Sequence, residues 1–308
     1  MNIKVFSPGK VIITGEHSVV YGEPALVAAI DLGVTVEVNS KVGQKNTPGY
    51  PLSLRNSPCS FFQHPYPQHL LSLFSKKFNK NLDNLVFKID FNIPIKSGLG
   101  SSAACAHAIF LALLKYFDIK LSKEDLFDLV LEGEKFMHGN PSGVDPKAVV
   151  YGGLNSFQKK DSVFVHQKIK TNFKLDNFVL INSGQAQETT KEMVELVAKD
   201  LSKNTNSHKI IKKIGRVSQK IINDLKNDQF NDQLIKKNQK LLEELGVVGQ
   251  KARKIVKLIE NIGGVAKVTG AGGVKDGSGL LLAYHSNKEA LMNLANLQQL
   301  EVLPIKFT

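Results

Sequence analysis

Cysteine is scarce in this chain. Only Cys59 and Cys105 occur in 308 residues, and their spacing is not that of a metal site. A disulfide framework is not expected, and the composition suits a reducing cytoplasm. No stretch reaches eighteen consecutive apolar residues, so no membrane span is expected. The opening Met-Asn-Ile-Lys-Val-Phe-Ser-Pro lacks the apolar run of a signal peptide and reads as a strand followed by a turn. There is no internal repeat and no low-complexity tract. Acidic residues are also in deficit, with 28 Asp and Glu against 40 Lys and Arg, a formal net charge of +12. That excess raises a nucleic-acid reading, but no familiar nucleic-acid motif accompanies it. Between Lys209 and Glu260 stand 13 basic and 6 acidic residues, with Lys212, Lys213, Arg216 and Lys220 at helical spacing. Solvated helix faces have this pattern, and a basic surface also suits electrostatic steering of anionic substrates. Neither a nucleic acid nor a membrane is expected as a partner.

What is present is an ordinary globular composition, 42% apolar, in a chain long enough for two domains. Strands are predicted at about 3–6, 33–39, 86–91, 153–157, 163–168 and 178–183. Helices are predicted at about 66–77, 101–117 and 122–138, the last opening on Ser122 with Asp125 three residues on. The segment from Gly43 to Pro67 is rich in Pro, Ser, Asn and Gln and reads as a long surface loop. The second half is helix-rich, at about 187–203, 207–227, 230–245 and 248–261. Strands at 265–268 and 279–284, a helix near 286–298 and a strand near 300–307 follow. Runs of helices closed by returning strands argue an α+β fold with a boundary near 160–175.

The most informative stretch is Ile93-Pro94-Ile95-Lys96-Ser97-Gly98-Leu99-Gly100-Ser101-Ser102-Ala103-Ala104. It leaves a strand in which Phe87, Ile89 and Phe91 alternate with Lys88 and Asp90, and it enters a helix of small and apolar residues. A helix entry presents unpaired N–H groups and the positive end of the helix dipole. Glycine there lets a polyanion approach, and serine adds a hydrogen bond or a metal ligand. A phosphate cradle is one reading; a serine-capped helix after a glycine turn is the other. The loop has no Gly-Lys-Ser/Thr ending and no third glycine of the dinucleotide fingerprint.

Three further pieces carry chemistry. In Ser7-Pro8-Gly9-Lys10, a turn is expected to fix the direction of the Lys10 ammonium. Glu16 and His17 fall in a short polar break between apolar residues. Taken alone, Lys10 also reads as a solvated lysine and His17 as a structural histidine. In Glu132-Gly133-Glu134 through His138-Gly139-Asn140-Pro141-Ser142-Gly143-Val144-Asp145, the break after the helix can fold Asp145 back over it. Two carboxylates near a cradled triphosphate can divide the work, one holding Mg²⁺ and one accepting a proton. The bland alternative is a solvated Glu134 and an Asp145 that caps the next helix. The last piece, Lys267-Val268-Thr269-Gly270-Ala271-Gly272-Gly273, follows a strand and bends sharply.

Together these pieces resemble the motifs of the GHMP small-molecule kinases, in the family's order, over about residues 3–285. The Pro-x-x-x-Gly-Leu-Gly-Ser-Ser-Ala loop is the family's phosphate loop. Gly15-Glu16-His17 and the Glu134-to-Asp145 segment are similar to the form these take in the mevalonate-phosphorylating branch. The resemblance implies a two-domain GHMP kinase fold of the α+β class, with a ribosomal-protein-like N-terminal domain over 1–170 and a ferredoxin-like C-terminal domain over 171–308. It implies ATP and Mg²⁺ as cofactors and mevalonate as a small-molecule substrate, phosphorylated at its C5 hydroxyl. By the same resemblance Asp145 and Lys10 are catalytic, with Asp145 taking the hydroxyl proton and the charge of Lys10 favouring the alkoxide. Pro94, Gly98, Leu99, Gly100, Ser101, Ser102, Ala103, Gly270, Ala271 and Gly272 contact the nucleotide. Ser102 and Glu134 hold the metal, and Glu16, His17 and Thr190 orient mevalonate. A kinase of phosphomevalonate, another GHMP kinase of the same pathway acting on a different hydroxyl of mevalonate or a related acid, and a non-catalytic ligand-binding protein on the same fold are the alternatives. The resemblance leaves the oligomeric state open, a homodimer included. One departure stands out: Val274-Lys275-Asp276-Gly277-Ser278 is inserted where the family continues with glycine, which is expected to reshape that loop.

Overall fold

The structure is a computed structural model that describes residues 2–40, 52–55, 65–94, 97–139, 141–160 and 163–308. The chain forms two compact units. One comprises Met1–Lys10 and Asp31–Gly152, the other Val11–Ile30 and Gly153–Thr308. Two long strands, β1 (Asn2–Thr14) and β2 (Ala25–Ser40), pair with each other and pass from one unit into the other.

In the first unit the later part of β2 pairs antiparallel with β4 (Leu85–Phe91), from Val34 opposite Phe91 to Ser40 opposite Leu85. A short β3 (Leu52–Arg55) lies parallel to β4. The alternation expected for β4 is present: Leu85, Phe87, Ile89 and Phe91 are buried, and the residues between them are half-buried. Among the described residues the helices of this unit are α1 (Tyr66–Phe78), α2 (Ser101–Tyr116), α3 (Lys123–His138) and α4 (Val144–Tyr151). Helix α2 is buried on nearly every side, from Ala103 through Phe110 and again from Ala112 to Leu114. A helix that is apolar all round must be central, and α1, α3 and α4 all pack on it. Its small residues let those neighbours approach closely.

In the second unit the early part of β2 pairs with β5 (Leu154–Lys160), which pairs with β6 (Val163–Lys168). A separate antiparallel sheet has the order β10-β7-β9-β8, with β7 Phe178–Asn182, β8 Val265–Val268, β9 Leu280–Tyr284 and β10 Val302–Pro304. Its helices are α5 (Thr190–Leu201), α6 (Thr205–Lys226), α7 (Gln233–Glu244), α8 (Gln250–Asn261) and α9 (Lys288–Leu297). Helix α8 buries Ala252, Ile255, Val256 and Ile259 at i, i+3, i+4 and i+7 and turns Lys251, Arg253, Lys254 and Lys257 outward. Helix α6 likewise exposes Lys209, Lys212, Lys213, Arg216 and Lys220. The excess charge is therefore the solvated face of amphipathic helices.

Several expectations are corrected. Strand β1 runs straight through Pro8 and Gly9, where a turn is expected from the sequence. Gly9 serves close approach instead: a Cβ there would lie 2.3 Å from Ile93 Cδ1 and 3.0 Å from the carbonyl oxygens of Leu32 and Leu99. Pro8 is tolerated because, among the described residues, β1 pairs with β2 along one side only. Helix α4 has no counterpart among the predicted elements. Within the expected loop from Gly43 to Pro67, Leu52–Arg55 form β3 and Tyr66 opens α1. Residues 43–51 and 56–64 of that loop, and Ile95, Lys96 and Asn140 of the motifs, lie outside the described residues. Among the described residues no helix is long and apolar enough to cross a membrane.

Candidate active site

The first unit assembles its polar groups around the entry to α2. Gly98 and Gly100 both have positive φ, +79° and +72°, and Gly100 is the N-cap of α2 with no side chain capping the helix. The first N–H groups of α2 thus have no intrahelical partner. Glycine is required at 100 on two counts. L side chains rarely adopt that φ, and a Cβ would stand 3.0 Å from Lys10 Cγ and 3.7 Å from Asp145 Oδ2. The Lys10 N–H donates to the Leu99 carbonyl at 2.9 Å, which ties β1 to the loop. Ser97 Oγ donates to the Pro94 carbonyl at 2.6 Å.

The Lys10 ammonium lies 3.2 Å from Asp145 Oδ1, and its side chain is 4% exposed against 39% for Asp145. A strand, not a turn, aims this lysine. Gly143 is the N-cap of α4, with φ +81°, and Asp145 is inside the first turn. Asp145 is therefore not the cap residue, although its charge suits the helix dipole.

Glu134, in the penultimate turn of α3, is 1% exposed. Tyr66 Oη donates to its Oε1 at 2.7 Å, and Ser102 Oγ donates to its Oε2 at 3.1 Å. His138 Nε2 lies 3.5 Å from the same Oε2. Burial pushes the Glu134 carboxyl above the usual range, opposed by the Tyr66 hydrogen bond and His138. Mg²⁺ takes hard oxygen ligands and draws few of them from protein. A serine hydroxyl and a carboxylate, 3.1 Å apart at the mouth of an uncapped helix, fit that donor set. No cluster of three or more His, Cys, Asp or Glu able to hold a metal occurs among the described residues.

The second unit joins the other motifs. Glu16 and Lys267 form an ion pair with both side chains at most 1% exposed. Lys267 Nζ also donates to the carbonyls of Ile12, at 3.1 Å, and Val268, at 2.6 Å. Asn238 Nδ2 donates to Glu16 Oε2 at 3.3 Å, while Asn238 Oδ1 is buried without a partner among the described residues. Burial pushes the Glu16 carboxyl up, and Lys267 and Asn238 pull it down. His17 has φ +59°, uncommon for a non-glycine residue, and opens the 3₁₀ turn Ser18–Tyr21. Its Nε2 lies 2.9 Å from the Ala271 carbonyl. A carbonyl only accepts, so Nε2 carries the proton. Burial holds the His17 imidazole below its usual pKa, and the neutral ring keeps an acceptor lone pair on Nδ1.

The bend after β8 needs its glycines too. Gly270 and Gly272 have φ +102° and +77°, and a Cβ on Gly272 would lie 2.1 Å from the Val247 carbonyl. The inserted Val274–Ser278 is docked at both ends. Glu188 accepts from the N–H groups of Val274 and Lys275, at 3.4 and 3.2 Å. Ser278 Oγ accepts from Gly249 N–H at 2.8 Å and donates to the Gly273 carbonyl at 2.9 Å. Thr190 is the first residue of α5 and is exposed. The neighbouring Thr189 and Glu192 form a complete capping box.

Tyr66, His138, Asn238 and Lys267 belong to these networks and are absent from the sequence-derived site. Lys267 carried a readable signal, since a lone lysine in the apolar strand Val-Ala-Lys-Val needs a buried partner. Tyr66 carried none, because nothing in its neighbourhood points to residue 134.

The chain is similar to known proteins in sequence and in fold. The family profile described as the GHMP kinases N terminal domain matches residues 65–153. A mevalonate kinase of Archaeoglobus fulgidus is 34% identical over 268 residues, which is 87% of this chain and 88% of that protein. The crystal structure of the Methanococcus jannaschii mevalonate kinase matches with a TM-score of 0.81 at 26% identity, covering 100% of this chain and 98% of that one. The L. major mevalonate kinase in complex with R-mevalonate shares the fold, with a TM-score of 0.84 at 22% identity over 99% and 97% of the two chains. With 34% identity to the Archaeoglobus fulgidus protein over most of both chains, the chain belongs to the mevalonate kinase family of GHMP kinases.

Proposed function

We propose that this chain transfers the terminal phosphoryl group of ATP to the C5 hydroxyl of (R)-mevalonate, giving 5-phosphomevalonate and ADP. The observation that carries the reading is the Lys10–Asp145 ion pair at 3.2 Å beside Gly100. It couples an acceptor for a hydroxyl proton to a fixed positive charge at the mouth of a helix whose N–H groups suit phosphate. In this reading the C5 oxygen forms the new bond to phosphorus, the bond to the β-phosphate oxygen breaks, and Asp145 receives the proton. Lys10 orients Asp145 and favours negative charge on the attacking oxygen. Pro94, Gly98, Leu99 and Gly100 shape the phosphate loop, and the backbone of Ser101, Ser102 and Ala103 binds phosphate oxygens. Ser102 and Glu134 would hold Mg²⁺. When bound, the cation neutralises charge on the phosphate oxygens.

The acceptor is oriented by His17, through the Nδ1 lone pair, and by the Thr190 hydroxyl. Glu16 contributes through Lys267, which anchors the strand leading to Ala271, the partner of His17. Gly270, Ala271 and Gly272 supply backbone groups to the nucleotide. The direct test is ADP release with mevalonate, phosphomevalonate, galactose and homoserine, with product regiochemistry read by NMR. Mevalonate is expected to be the preferred acceptor, phosphorylated at C5. Equal or higher catalytic efficiency with phosphomevalonate overturns the assignment.

A further inference from the structure

We propose that Tyr66 is a positioning residue that sets the orientation of the Glu134 carboxylate and, through it, the affinity of the site for its divalent cation. The proposal rests on the reading of Ser102 and Glu134 as the cation's protein ligands. Tyr66 opens α1 in the sequence Pro65-Tyr66-Pro67. The flanking prolines each fix their own φ, so this helix entry is stiff. The Tyr66 side chain is fully buried. A buried phenol needs a hydrogen-bond partner. Two acceptors are in range: Glu134 Oε1 at 2.7 Å and the Ser102 carbonyl at 3.5 Å. The hydroxyl has one proton, and the shorter, charge-assisted bond to Glu134 takes it. The ring is steadied by Phe136, whose ring centroid lies 6.1 Å away in a stacked arrangement.

The two oxygens of Glu134 are thereby made unequal. Oε1 is committed inward to Tyr66. Oε2 faces the Ser102 hydroxyl and the half-exposed His138, the side from which a cation would be reached. Rotating the carboxylate would break a buried charge-assisted bond. Tyr66 thus fixes which oxygen is presented and in what direction, as partners of metal-ligating groups commonly do. A tyrosine that is merely core would affect folding and leave cation affinity alone.

The test measures Mn²⁺ binding to the enzyme–ADP complex by electron paramagnetic resonance. It compares wild type, Tyr66→Phe, Glu134→Gln and the double variant, with ADP affinity in the absence of metal and thermal melting as companions. Tyr66→Phe is expected to weaken Mn²⁺ binding by about 10–100-fold, the usual effect of losing such a partner, with metal-free ADP affinity unchanged. In the Glu134→Gln background the same change is expected to add less than about twofold, because Tyr66 acts through Glu134. Phe74→Leu, a lesion in the same helix away from Glu134, is expected to lower the melting temperature and leave Mn²⁺ binding intact. If Glu134→Gln weakens Mn²⁺ binding and Tyr66→Phe does not, the role of Tyr66 is overturned and the metal reading stands. If Phe74→Leu weakens Mn²⁺ binding as much as Tyr66→Phe does, the effect is general loosening and the proposal is also overturned. If Glu134→Gln binds Mn²⁺ like wild type, the metal reading itself falls.

Discussion

Asp145 separates a chemical role from a structural one at a single atom. Asp145→Asn keeps size and hydrogen bonding but removes the proton acceptor and the charge opposite Lys10. Turnover is expected to fall by about 10²–10⁴, with ATP and mevalonate still binding by calorimetry. A folded variant that keeps more than about a tenth of wild-type turnover would rule out general-base catalysis by Asp145. The cap of α4 is Gly143, so a residue at 145 that served only the helix dipole would lose less than about 1 kcal/mol of stability and little rate. Gly100 poses a different single-residue question. Gly100→Ala asks a side chain to adopt φ +72° within 3.0 Å of Lys10 Cγ. The backbone penalty is about 1–2 kcal/mol, and the displaced lysine adds a loss of rate. Activity that falls further than the melting temperature accounts for would locate the damage in Lys10; a loss explained wholly by melting would argue against it.

At the scale of elements, the buried Glu16–Lys267 pair fastens β8 and the bend after it to the residues that follow β1. Lys267→Met leaves the Glu16 carboxylate buried without its counter-charge, and about 3–5 kcal/mol of stability is expected to be lost in urea unfolding. Adding Glu16→Gln to Lys267→Met removes the stranded charge and is expected to recover most of that loss. A double variant no more stable than Lys267→Met would show that packing, not charge, is the issue. This pair also marks how far the sequence could be read. The amphipathic helices, the alternation in β4 and the Ser122 cap of α3 are local patterns, and each is found where its pattern predicts. The glycine loop and the two carboxylates were legible because their motifs are short and contiguous. The Glu16–Lys267 contact joins positions 251 residues apart, and that of Tyr66 with Glu134 spans 68. No local periodicity encodes such distances. Pro8-Gly9 misled for the opposite reason: a dipeptide that usually turns the chain here lies in a strand, its glycine chosen for the approach of Ile93.

For the whole molecule, acid sensitivity is expected to have an identifiable source. Burial, reinforced by the Lys123 charge, pulls the His107 imidazole down to about 4, and its Nδ1 lies 2.9 Å from Ser7 Oγ. Between its unfolded pKa near 6.5 and about 4, the unfolded chain binds a proton that the folded chain refuses. Stability from this residue is therefore intact above pH 6.5 and declines as pH falls, by up to about 3 kcal/mol. The buried carboxyls of Glu16 and Glu134, pushed up, have the opposite slope. The informative quantity is thus the difference between wild type and His107→Gln in denaturant unfolding at pH 7 and pH 5. The variant is expected to lose less stability than wild type between pH 7 and pH 5, and equal changes in the two proteins would show that His107 is not held neutral. The division of the chain bears on how the protein is made. Val11–Ile30 belongs to the unit otherwise built from Gly153–Thr308, and Val11, Ile13 and Ala25 through Ile30 are all buried. On the ribosome this apolar segment emerges well over a hundred residues before the rest of its unit. Nascent chains halted near residue 152 are therefore expected to engage chaperones and to become protease-resistant over Val11–Ile30 only once the carboxyl-terminal half has been translated.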